Sequence, residues 1–95
     1  MNNVLATPAS RLAVRRVVHL LRSHHARFLV VHPGFESRWE RLYGQPFDAM
    51  GVGSAYHFLA LMHWAQIVQI AATTAGQTVV RLHRTWVAKS RSLGG

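Results

Sequence analysis

Residues 41–63 read RLYGQPFDAMGVGSAYHFLALMH, an apolar and aromatic stretch interrupted by glycines at 44, 51 and 53 and a proline at 46. No long buried helix is built on such spacing, because an interior Gly costs about 1 kcal/mol and an interior Pro about 3 kcal/mol relative to Ala. The chain must form short, turned elements here. Directly afterwards the period changes: AQIVQIAA and QTVVRLH are rich in Val and Ile and alternate, which is the pattern of strands.

The remaining elements follow from local signals. Thr7 reads as an N-cap and Pro8 as the first helical residue of a helix carrying Val14, Val17, Val18 and Leu21 on one stripe, ending near residues 23–25. RFLVV, residues 27–31, is short and β-branched and reads as a brief strand. HPG then turns the chain into a second helix with Phe35, Trp39, Leu42 and Tyr43 toward the core, and with Glu36, Arg38, Glu40 and Arg41 away from it. Gly44 suits the left-handed position that ends this helix, and QPFDAMG forms one further turn closed by Gly51. Ser54 caps a third full helix that buries Phe58, Leu61 and Met62, with Tyr56, Leu59 and Trp64 near its edges. TTAGQ joins the two strands as a hairpin, with Gly76 free to take positive φ. The order is that of an α+β winged helix-turn-helix: three to four helices and a small antiparallel sheet whose hairpin, the wing, pairs with the first short strand.

Composition sets the class of partner. The chain of 95 residues carries eleven Lys and Arg against three Asp and Glu, for a formal charge of +8. All three acids, Glu36, Glu40 and Asp48, fall in one central window, so both flanks are purely basic or neutral. Such a field favours a polyanion, with nucleic acid the common case and an acidic membrane the less common one. The absence of cysteine rules out disulfides and thiolate metal sites. No apolar run approaches the length of a membrane span, and no signal peptide is evident, so a soluble, intracellular chain is expected. Seven histidines are present, but none has a carboxylate partner at ligand spacing, so no metal site is indicated. There is no paired carboxylate, activated nucleophile or Gly-rich loop followed by Lys, and the chain reads as non-catalytic with no cofactor.

Residues 10–83, and above all Tyr43, Gly44, Pro46, Gly51, Phe58, Leu59, Val68, Ile70, Val80 and Leu82, resemble a LOTUS (OST-HTH) domain. In that family an aromatic-rich helix ends in a Tyr…Gly-x-Pro element, followed by a Leu-rich helix and a hydrophobic hairpin. The pattern is most like the tandem arrays of the meiosis regulator and mRNA stability factor (limkain) type, and is similar also to Oskar and germline Tudor-domain proteins. Val52 stands where the family often has an aromatic, and HWAQ where it often has a Pro-Asp pair. The resemblance implies a post-transcriptional RNA regulator of germline type, active in oogenesis or meiosis and located in cytoplasmic ribonucleoprotein granules. A minimal form of the family is associated with RNA, including G-rich, quadruplex-forming RNA. An extended form with an added C-terminal helix is associated with Vasa-type DEAD-box helicases. On this reading residues 1–6 are a leader, 7–83 the domain, and 84–95 a basic tail or the start of a following helix in a longer parent chain.

Candidate contacts fall in two basic clusters and a set of aromatics. Arg11, Arg15, His19 and Arg22 lie at i, i+4, i+8 and i+11, with Arg16 nearby and no acid on the same helix to pair them, so they are candidate phosphate ligands. Arg81, His83, Arg84, Lys89 and Arg91 form a second cluster on the wing and tail. Trp39, Tyr43, Tyr56 and Trp64 have rings that could stack on unpaired bases, but helical spacing makes Trp39 a core residue. Tyr56 and Trp86 are the favoured stacking candidates, because the surrounding apolar pattern does not require them.

Overall fold

The computed structural model describes residues 6–23 and 28–86. Helix α1 (Pro8–Arg22) starts where the Thr7 hydroxyl accepts the Ser10 N–H at 3.1 Å, and the proline sits in the first turn, where its missing N–H leaves no bond unmade. Strand β1 (Leu29–Val30) leads into a wide π turn over Val31–Phe35. This turn is broader than the simple reversal expected at HPG. His32 within it is extended (φ −123°, ψ 122°), as suits a residue that precedes proline.

Helix α2 (Glu36–Tyr43) stops at Gly44, whose φ is 76° and whose N–H donates to the Glu40 carbonyl at 2.8 Å. A Cβ at this position would meet nothing within 4 Å, so glycine is needed here for its left-handed backbone and not for space. A 3-10 turn follows at Phe47–Met50, and then α3 (Ala55–Trp64), with the Ser54 side chain accepting the His57 N–H at 3.2 Å. No helix among the described residues is long and apolar enough to cross a membrane.

Strands β2 (Val68–Ala72) and β3 (Thr78–Leu82) form the expected antiparallel hairpin, with Val68 opposite Leu82 and Ile70 opposite Val80. Its turn is closed by Thr73 and Gln77 and contains Gly76 at φ 82°. Strand β1 pairs with β3 through Leu29–Val80 and Val30–Val79, which gives a three-stranded sheet of order β1-β3-β2. The whole is an α+β fold compatible with a winged helix.

The core is aromatic at its centre. The Trp39 ring lies 4.8 Å edge-on from Phe47, 4.5 Å from Tyr43 and 6.0 Å from Phe35, and Phe47 lies 5.6 Å from Phe58. Around it pack Val17, Leu20 and Leu21 of α1, Leu59 and Met62 of α3, and Val68, Val80 and Leu82 of the sheet.

Three expected registers are corrected. In α1 Val17, Val18 and Leu21 are buried as expected and Ala13 and Leu20 join them, but Val14 is only partly buried. In α3 Leu59 is fully buried and Leu61 is not, because the inward face follows Ala55, Phe58, Leu59 and Met62 at i, i+3, i+4 and i+7. Leu42 is 49% exposed. It lies about 60° around the helix from Trp39, far enough to leave the core and form part of a groove rim.

These burials separate two substitutions that the sequence pattern treats alike. Phe58→Ala should destabilise the fold by about 3–5 kcal/mol, as a fully buried aromatic removed from a packed centre. Leu42→Ala should change stability by no more than about 0.5 kcal/mol. Urea denaturation of the two variants checks both, and equal destabilisation would contradict the observed register of α2.

Candidate nucleic-acid interface

Helix α2 separates its charges by side. On a helical wheel Glu36 and Glu40 fall together, whereas Arg38 and Arg41 lie roughly opposite them, at about 100° per residue. Glu36 is already engaged, its Oε1 lying 2.9 Å from Nδ1 of His32 four residues earlier, which corrects the expectation that no histidine has a carboxylate partner at such spacing. The arginine side turns toward the C-terminal half of α1. There His19, Arg22, Arg38, Arg41 and Leu42 line an open groove of about 520 Å³ with Ser23, and no acid is among the lining residues. Arg38 Nη2 donates to Ser23 Oγ at 3.3 Å, and that hydroxyl in turn donates to the Leu20 carbonyl at 2.7 Å, so the end of α1 is tied to α2.

His19 and Arg22 also line a neighbouring cleft, which Arg15 and Trp86 border. The two depressions share a basic wall, and cations of one sign around low-dielectric walls concentrate the local field. Of the arginines expected on this face, Arg22 joins the shared wall, Arg15 lines only the neighbouring cleft, and Arg11 is exposed nearer the start of α1 and lines neither. Arg38 and Arg41 were not among the candidates. Their signal was present in the opposite placement of acids and bases on α2, but the intervening acids masked it.

Two candidate arginines have structural partners. The Arg16 guanidinium lies 4.9 Å from the centre of the Tyr43 ring and donates to Met50 Sδ at 3.4 Å. The Tyr43 hydroxyl donates to the Arg16 carbonyl at 2.8 Å, so this residue joins α1 to the end of α2 and to the 3-10 turn. Arg81 donates through Nε and Nη2 to Gln69 Oε1 at 3.1 and 2.9 Å, across the hairpin, and lies 4.7 Å from the Phe28 ring centre. Arg84, just beyond the wing, is exposed.

The aromatics divide as well. Trp39 is core, as its spacing indicated. Tyr56 is 59% exposed in the first turn of α3. Trp86, favoured from sequence as a surface ring, is instead partly buried against the core, beside Val14 and Val18 of α1 in the same cleft. Trp64 is 85% exposed, the most open of the large apolar side chains among the described residues. Residues 84–86 are helical, whereas Lys89, Arg91 and the rest of the tail expected to extend this helix lie outside the described residues. Among the described residues no group of three His, Asp or Glu side chains is arranged to hold a metal ion.

No family model matches the chain, and neither a curated protein nor a solved structure gives a match to it.

Burial raises the Tyr43 phenol above its ordinary value of 10.0, with the Arg16 charge opposing the rise. The folded chain therefore holds this proton more tightly than the unfolded one. That contribution is complete below pH 10 and is lost as pH climbs through the folded value. Tyr43→Phe should cost about 1 kcal/mol near neutrality, because the hydroxyl bond is removed. The gap between parent and variant should narrow in alkaline solution, a trend that denaturation at a series of pH values would reveal. Arg16→Ala should cost about 0.5–2 kcal/mol by removing the packing on the ring, whereas Arg15→Ala leaves stability unchanged.

Proposed function

We propose that the chain is a non-catalytic RNA-binding module of LOTUS type, which holds single-stranded or G-rich RNA within a longer post-transcriptional regulator. The observation that carries this reading is the acid-free groove in which Arg22 and His19 of α1 meet Arg38 and Arg41 of α2. Guanidinium groups are planar forks that bind phosphate oxygens in pairs, and they stay charged at every physiological pH. A strand laid along the groove would exchange condensed counterions for these arginines, the main source of affinity for polyanions. The overall charge of +8 would steer that encounter from a distance. The choice of RNA over DNA is supported by the resemblance of residues 10–83 to LOTUS domains.

Arg15, Arg22 and Arg41 are all exposed, so the triple Ala variant should keep its fold, checked by circular dichroism. Its affinity for single-stranded RNA should fall, and the slope of log affinity against log salt should flatten by about 0.7 for each phosphate no longer neutralised. A folded variant with the parent's affinity and salt slope would show that this groove is not the interface. A docking role toward a Vasa-type helicase would then become the better reading.

A further inference from the structure

A second concave site lies at the far end of the hairpin, where α3 ends and the wing returns. Trp64 is the last residue of α3. The chain reverses immediately after it: Ala65 N–H bonds back to the Leu61 carbonyl, Gln66 takes a φ of 60°, and Ile67 N–H bonds the Met62 carbonyl at 2.9 Å. The indole therefore stands on a firmly tied corner while 85% of its surface is open to solvent. Tryptophan is highly buried on average, and nothing in the packing of α3 requires this ring. It borders an open cleft of about 630 Å³ together with His63, Gln66, Gln69, Arg81 and Arg84. That volume is in the range of small-molecule sites, about 300–1,000 Å³.

Three of the polar groups around the cleft, on His63, Gln69 and Arg81, are held by hydrogen bonds. Nδ1 of His63 accepts the Ile70 N–H at 3.2 Å, so the hydrogen of the neutral ring sits on Nε2. The Gln69 carbonyl oxygen is held by the Arg81 fork, which leaves the amide NH₂ as a donor. Arg84 adds an exposed cation and Gln66 an exposed amide. One flat aromatic face, amide donors and acceptors, and guanidinium charge are together the chemistry that recognises a planar heteroaromatic ring attached to an anion.

We infer that this cleft is a subsite for one unpaired RNA nucleotide, its base stacked on Trp64 and its phosphate near Arg84. The inference rests on the RNA-binding reading and deepens it, because it supplies discrimination that the α1–α2 groove lacks. A base inside a duplex has both faces covered by neighbours and cannot stack on a protein ring. A phosphate-binding groove, by contrast, attracts single and double strands alike. The two sites therefore have different signatures: the groove is sensitive to salt, and the Trp64 cleft is sensitive to base pairing.

The experiment compares the parent, Trp64→Ala and Trp64→Phe against single-stranded oligoadenylate and against a duplex RNA of equal length, at several salt concentrations. Trp64→Ala should bind the single strand about 5- to 150-fold more weakly, the equivalent of removing one base–aromatic stack. Its affinity for duplex and its salt slope should stay at the parent's values, and Trp64→Phe should keep most of the single-strand affinity. Oligoadenylate should quench indole emission in the parent, and Trp64→Phe should abolish that quenching. If the parent binds RNA and Trp64→Ala binds the single strand equally well, the subsite is refuted and the groove reading stands. A parent that binds no RNA refutes both. Unchanged RNA affinity, with Trp64→Ala abolishing self-association in sedimentation, would overturn the inference in favour of a protein contact.

Discussion

The packing of Trp39 against Phe47 is the interaction on which the rest of the architecture depends. Its edge-on geometry at 4.8 Å suits two aromatic quadrupoles, and Phe47 in turn packs on Phe58 of α3. Three short elements, none with enough length to be stable alone, are thereby joined at one point. Short helices require reversals between them, and the left-handed Gly44 and Gly51 supply these at the ends of α2 and of the 3-10 turn. With Trp39 held inward, the direction of every other side chain on α2 is settled. Arg38 and Arg41 must face α1, and Glu36 and Glu40 must face elsewhere. The basic groove is thus a consequence of the aromatic core and not a separate feature.

The same frame decides which cations remain available. Arg16 sits where Tyr43 and Met50 converge, and its carbonyl receives the tyrosine hydroxyl, so its charge serves the joint between α1 and α2. Arg81 spans the hairpin to Gln69. Exposed arginines close by in the chain, such as Arg15 and Arg84, have the same sequence character and a different fate. A count of basic residues therefore overstates the free positive surface, since some of the charge is committed to packing.

Local signals in the sequence were good guides to the fold. Caps at Thr7 and Ser54, the reversals at Gly44 and Gly51 and the hairpin turn with Gly76 all act over a few residues, so they can be read without knowing what packs on what. Leu42, Leu59 and Leu61 could not be resolved that way. Each lies at the border of an apolar stripe, and only the position of the neighbouring helix determines which border is covered. The candidate site was legible in part: Arg15 and Arg22 were visible as an unpaired stripe. Arg38 and Arg41 were hidden among acids that the helix places on its other side. Trp86 proved more buried than expected and Trp64, read as an edge residue of α3, more open, for a tertiary reason: residues 84–86 fold back toward α1 while α3 ends with its tryptophan beyond the packed layer.

On the proposed reading, the two clefts would divide affinity from selectivity. Phosphate binding in the α1–α2 groove depends on counterion release and weakens steadily with salt, whatever the bases. Stacking in the Trp64 cleft buries apolar ring surface and depends little on ions. At low salt the groove dominates, and any polyanion is held. At physiological ionic strength, where the Debye length is only about 8 Å, the long-range attraction fades and the short-range stack becomes a larger share of the total. Selectivity for unpaired RNA would then be greatest under the conditions of the cell. A domain with a small core can achieve this because each site uses side chains that the core does not need: arginines on the outer faces of α1 and α2, and a tryptophan left outside at the end of α3.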